Sequence, residues 1–115
     1  MIKKTLAVVM ALTALALSSS ATDRRNFWIL NNTGRTMTSF SVAVHGSSAP
    51  WSENALTYTL TNGNGRSLYF TDNSSACVYD FRVYFNDGSY QDYLQGRNLC
   101  QTHAVQFNSD TNNAY

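Results

Sequence analysis

The chain has 115 residues, of which 43% are hydrophobic and 13% charged; eight Lys and Arg stand against seven Asp and Glu, for a formal net charge of +1. This balance excludes a strongly basic nucleic-acid binder, which needs a clustered positive surface to displace counterions from phosphates. The length is enough for one domain with one modest core.

The first 21 residues read as a secretory signal peptide. Lys3 and Lys4 give a basic start, residues 5–17 (TLAVVMALTALAL) are uncharged, and Ser19 and Ala21 supply the small positions of a cleavage site. A membrane-spanning helix needs about 20 apolar residues, more than this run holds, so no stable membrane insertion is expected after cleavage. No cysteine directly follows the apolar run, which rules out lipid attachment there, and Arg24 and Arg25 lie behind it, where a twin-arginine export signal would not. Removal of residues 1–21 leaves 94 residues with six scattered arginines against seven acids, a net charge of −1. The expected location is the periplasm or the extracellular space. Residues 22–26 read as an N-terminal arm, 27–107 as the folded domain and 108–115 as a flexible tail.

From there the pattern is of strands and turns. Residues 26–30 (NFWIL) are aromatic and β-branched, and Asn31, Asn32, Thr33 and Gly34 stop them. Residues 37–44 (MTSFSVAV) alternate, with Phe40, Val42 and Val44 on one face, which predicts a half-buried strand. A break at 45–50 contains Pro50, the single proline. Residues 55–60 (ALTYTL) predict a third strand with Leu56, Tyr58 and Leu60 in register. After the turn residues Asn62, Gly63, Asn64 and Gly65, residues 67–71 (SLYFT) predict a fourth.

Residues 77–90 (CVYDFRVYFNDGSY) carry the clearest signal. Cys77, Tyr79, Phe81, Val83 and Phe85 share a face that belongs in a core; Val78, Asp80, Arg82 and Tyr84 share the other. Asp87 and Gly88 predict a two-residue type I′ turn. That turn would set Phe85 opposite Tyr90, Tyr84 opposite Gln91 and Arg82 opposite Tyr93, and would put Asp80 and Asp92 on opposite faces. Residues 103–107 (HAVQF) give the last strand. About seven strands with turns every 8–12 residues predict an all-β fold, an antiparallel β-sandwich, with a small barrel as the alternative.

Cys77 and Cys100 are the only cysteines. In an oxidising compartment they are expected to pair, closing a loop whose chain entropy is worth roughly 3 kcal/mol. A metal role is not expected, because neither His45 nor His103 stands at ligand-like spacing from them.

A family pattern joins these segments. FWILNNTG, the loop of Trp51, Ser52, Glu53 and Asn54 leading to Leu56, the block CVYDFRVYFNDGS and the later NLC resemble a group of small exported bacterial β proteins of unsettled function. The resemblance covers residues 27–107 and implies export, a disulfide and a β domain, with no catalytic residues to carry over. Some members bear the label argininosuccinate lyase, a large helical cytoplasmic enzyme that nothing in this chain resembles.

Chemistry-bearing residues are few. G-x-S-x-G is absent, and His45 beside Gly46 and Ser47 reads as a polar loop-edge residue, as His103 does at a strand start. Asp80 and Asp92 are the carboxylates that a glycan or cell-wall hydrolase would use, with His45. Asp72, Asn73, Ser74, Ser75 and Asp87 offer oxygens for calcium but lack EF-hand spacing. Asn31 and Asn73 match glycosylation acceptor triplets formally. No cofactor or metal is expected. Seven tyrosines and two tryptophans favour a recognition surface, with Trp51, Arg82, Tyr84 and Tyr93 as candidate binding residues. The leading expectation is a non-enzymatic interaction module for an unknown protein or glycan, not nucleic acid. The alternatives are an inhibitor or immunity-like protein of a secreted enzyme, or a small hydrolase.

Overall fold

The computed structural model describes residues 25–70 and 75–115. The expected signal peptide, most of the N-terminal arm, and the loop residues Asp72, Asn73 and Ser74 lie outside the described residues. The described chain is all-β, with seven strands: β1 (Phe27–Asn31), β2 (Met37–Val44), β3 (Gly65–Leu68), β4 (Val78–Phe85), β5 (Tyr90–Asn98), β6 (Ala104–Phe107) and β7 (Asn112–Ala114). They form two sheets, ordered β3-β1-β6-β7 and β2-β4-β5. The fold is the expected sandwich rather than a closed barrel, and antiparallel pairs dominate it. One pair departs from that pattern: β1 and β6 run parallel, with Trp28 opposite Ala104 and Asn31 opposite Phe107.

Alternation explains which face each strand buries. Phe27 and Ile29 of β1, with Val105 and Phe107 of β6, face Phe40 of β2 and Tyr79, Phe81, Val83 and Phe85 of β4. The centre is aromatic: Phe107 stands edge-on to Phe40, Phe81 and Tyr93 at centroid distances of 5.4, 5.3 and 4.9 Å. Such edge contacts place the positive rim of one ring against the negative face of the next. Leu56, Leu60 and Leu99 close the gaps from the connections.

The Cys77–Cys100 disulfide is formed, with Cα atoms 5.2 Å apart. Cys100 follows the end of β5 and Cys77 precedes β4, so the bond fastens the open end of the hairpin. Among the described residues no helix is long and apolar enough to cross a membrane.

The strand expected from residue 67 to 71 runs from Gly65 to Leu68, and three larger expectations change. Residues 55–60 do not form a strand. Only Leu60 joins a ladder, in an isolated bridge to Met37 with two backbone hydrogen bonds of 2.9 Å. Tyr58, which alternation would bury, is 75% exposed. Arg66 instead donates to the carbonyls of Tyr58 and Thr59, so a side chain from the edge strand supplies what a neighbouring strand would have. The stretch 108–115 is not a loose tail: β7 pairs with β6, and Asn112 is buried beneath Arg97, whose guanidinium donates to its side-chain and main-chain oxygens at 2.6 Å each.

The third change is the hairpin register. Phe85 N–H donates to the Ser89 carbonyl (2.9 Å) and Gly88 N–H to the Phe85 carbonyl (3.0 Å), with Gly88 at φ 86°. This is a three-residue loop closed by a left-handed glycine, not the two-residue turn. Asp87 fixes it: one carboxylate oxygen accepts from the Ser89 hydroxyl and amide, and these bonds lower its pKa below the usual carboxylate value. Because the side-chain period is two, a one-residue slip turns the whole return strand over. Phe81 therefore faces Tyr93, Arg82 faces Asp92 and Tyr84 faces Tyr90.

Candidate functional site

The outer face of the three-stranded sheet is built by this register. β4 presents Tyr84, Arg82 and Asp80; β5 presents Tyr90 and Asp92 beside them; β2 supplies the small residues Ser39, Ser41 and Ala43 opposite. The segment 52–55 seals the edge of β2. Ser52 and Ala55 amides donate to the carbonyls of Val42 and Phe40 at 2.8 Å, while Ser52 Oγ and Asn54 Oδ1 accept from the Val42 and Phe40 amides at 2.9 Å. A side chain that holds a main-chain edge group in this way blocks pairing by another strand. It also fixes the base of Trp51 and sets its ring over the sheet.

The Arg82 guanidinium lies over two rings, its Cζ 4.9 Å from the Trp51 centroid and 4.5 Å from that of Tyr90. Tyr84 continues the row, 5.3 Å from Tyr90. Asp92 grips the same guanidinium in a bidentate pair, Nε to Oδ1 at 2.7 Å and Nη2 to Oδ2 at 2.9 Å. Arg82 is held more firmly protonated than an ordinary arginine, chiefly by its hydrogen bond to Asp92 and against the cost of desolvation. A planar cation in contact with two rings and gripped by a fork-on-fork carboxylate has few rotamers left, so the cluster is pre-organised. It is also accessible: the Arg82 and Asp92 side chains are 24% and 26% exposed, and Tyr90 is 53% exposed.

Three of the four candidates, Trp51, Arg82 and Tyr84, thus meet on one face. The fourth does not. Tyr93 is 1% exposed and belongs to the core, its hydroxyl donating to the Asn108 carbonyl at 2.7 Å; burial pushes its phenol up to about 12. Its expected place beside Arg82 is taken by Asp92 and Tyr90, which the two-residue turn had turned away. Asp80 and Asp92 consequently share a face instead of opposing one another.

Each of those carboxylates has a partner. Asp80 Oδ1 lies 2.7 Å from His45 Nδ1, and the His45 ring rests on Gly96, where a Cβ would come within 2.8 Å of it. His103 sits at the edge, its amide donating to the Tyr115 carbonyl. Among the described residues no group of three or more His, Cys, Asp or Glu could hold a metal ion. Asn31, a formal glycosylation acceptor, is buried with both side-chain atoms engaged. On the opposite sheet, Trp28 and Leu30 are exposed and lean over Gly65, whose missing Cβ leaves them room.

Fold and site together define a disulfide-clamped β-sandwich that displays a rigid aromatic–arginine face. Comparison with protein-family models, with curated proteins and with solved structures finds no match.

Proposed function

We propose that this chain is a non-enzymatic binding module that works in the periplasm or outside the cell after loss of residues 1–21, in keeping with its resemblance to small exported bacterial β proteins. The recognition surface is the outer face of the β2-β4-β5 sheet. One observation carries this reading: Trp51, Arg82 and Tyr90 form a stacked, carboxylate-locked row that stays open to solvent. Aromatic and arginine side chains with little rotamer freedom are the residues that anchor interfaces, because few degrees of freedom are lost when they are covered. The disulfide, and the lack of a long apolar helix among the described residues, are compatible with a secreted or periplasmic protein.

The test compares the oxidised protein with a Tyr84→Ala, Tyr90→Ala double variant, both immobilised and exposed to the same envelope extract. A partner retained by the first and lost by the second is expected, since both tyrosines are exposed and their removal leaves the core intact. Equal retention by the two proteins overturns the assignment of the face. An inhibitor role is the case in which the retained partner is an enzyme.

The hydrolase reading gains one point from the observed register, which brings Asp80, Asp92 and His45 to one face. Both Asp92 oxygens are held by Arg82, however, and Asp80 by His45, so neither carboxylate is set against an open acid–base position. Turnover of a glycan substrate that disappears on alanine replacement of these three residues would favour hydrolysis over binding.

A further inference from the structure

We propose that the ligand of the aromatic–arginine face is a neutral saccharide; this rests on the binding-module reading above and names its ligand class. The argument begins with charge. The one cation of the row, Arg82, is neutralised by Asp92 in a bidentate pair, and the next carboxylate along β4, Asp80, stands on the same face. An anion arriving here meets a guanidinium whose charge is already matched by Asp92, and the next charged group along the strand is the carboxylate of Asp80, itself engaged with His45. A second cation placed at the Trp51 or Tyr90 ring meets the Arg82 guanidinium, which already lies over both, 4.9 and 4.5 Å from their centroids. An uncharged ligand is the one that loses nothing.

Hydrogen-bonding capacity narrows the class further. Asp92 takes the Nε and Nη2 edge of Arg82, while Nη1 bonds to no other described residue; the hydroxyls of Tyr84, Tyr90 and Ser39 are likewise without partners among the described residues. The face therefore offers a donor-only guanidinium, acceptor lone pairs on Asp92 and hydroxyls of either sense within one row. A ligand that covers it must answer with groups that both donate and accept, or it leaves desolvated polar atoms unpaired at a cost of about 1–3 kcal/mol each. Sugar hydroxyls are such groups. The outer faces of Tyr84 and Tyr90, 5.3 Å apart and tilted by 42°, give the apolar C–H side of a pyranose ring its platform. An apolar protein segment would satisfy the rings and strand the polar atoms.

The test uses short soluble oligomers of glucose, mannose and N-acetylglucosamine, titrated into the disulfide-intact Trp28→Phe protein so that Trp51 fluorescence reports alone. Saturable quenching that is insensitive to salt is expected. Tyr90→Ala and Tyr84→Ala should each weaken it about tenfold or more, as loss of a stacking ring does, with an unchanged circular dichroism spectrum. Tyr58→Ala, remote from the row, should leave it intact. Absence of binding to every neutral oligomer, binding restricted to sulfated or uronic oligomers and abolished by salt, or binding indifferent to Tyr84 and Tyr90 overturns the proposal. If the envelope extract still yields a partner that depends on the two tyrosines while no neutral oligomer binds, the saccharide class falls and the binding face stands. If the tyrosines matter in neither experiment, both fall.

Discussion

Asn31 has 2% of its surface exposed and yet leaves no polar atom unsatisfied. Its amide donates to the carbonyls of Arg35 and Leu60 at 2.8 Å each, and its oxygen accepts from the amide and hydroxyl of Thr33. One side chain thus fastens the β1–β2 turn to the segment that ends at Leu60. Asn31→Asp keeps the shape but sets a carboxylate oxygen against two carbonyl oxygens. The expected loss is about 2 kcal/mol or more, read from the urea midpoint at neutral pH, with partial recovery as the new carboxyl becomes protonated in acid. From the sequence this residue read as a strand stop and a glycosylation triplet. Its role was hidden because both carbonyls it serves belong to segments whose position depends on the finished fold.

At the level of elements, two glycines of the β4–β5 hairpin carry different loads. Gly88 has φ 86° with nothing within reach of an added Cβ; Gly96 has φ 74° and lies under the His45 ring, 2.8 Å from such a Cβ. Gly88→Ala should cost about 1 kcal/mol through backbone strain alone. Gly96→Ala should cost more, because it must also push His45 off Asp80. Thermal unfolding of the two variants checks the order, and His45→Ala in the Gly96→Ala background should return part of the difference. The same hairpin marks how far the sequence could be read. Its core-facing series, from Tyr79 to Phe85, was legible because alternation in β4 is strict. The return strand was not: Asp87 and Gly88 fit both a two-residue and a three-residue loop, and the Ser89 bonds to Asp87 that select the longer one are a side-chain matter. That single residue decided whether Tyr93 or Asp92 stands beside Arg82. Trp51, Arg82 and Tyr84 could be named in advance, and Tyr90 could not. The ALTYTL stretch failed for a related reason, since Arg66 satisfies its carbonyls without a ladder. β7 escaped notice because Asn112, Asn113 and Ala114 carry no strand propensity and are held by Arg97 and the edge of β6.

For the molecule as a whole, the two sheets are tied at one margin by hydroxyl and guanidinium groups as much as by apolar contact: Tyr93 to Asn108, and Arg97 to Asn112. The buried phenol makes stability depend on alkaline pH. Burial raises the folded pKa of Tyr93 from 10.0 to about 12, so its contribution is complete below the unfolded value near 10 and is lost as pH rises through about 12. Urea midpoints measured across that window should fall in the native protein. Tyr93→Phe should start from a lower midpoint, having lost the bond to Asn108, and fall less steeply.

The parallel pairing of β1 with β6 has a kinetic consequence. Trp28 meets Ala104, so the central seam of the four-stranded sheet joins positions far apart in the chain, and closing that long loop comes before any contact can repay it. A polypeptide emerging from its N-terminus holds β1 without a neighbour on that side until residues 104–107 have followed. Residues 27 to 107 must all be delivered before the sandwich can lock, so for a chain made from its N-terminus the closing of this seam is a late event.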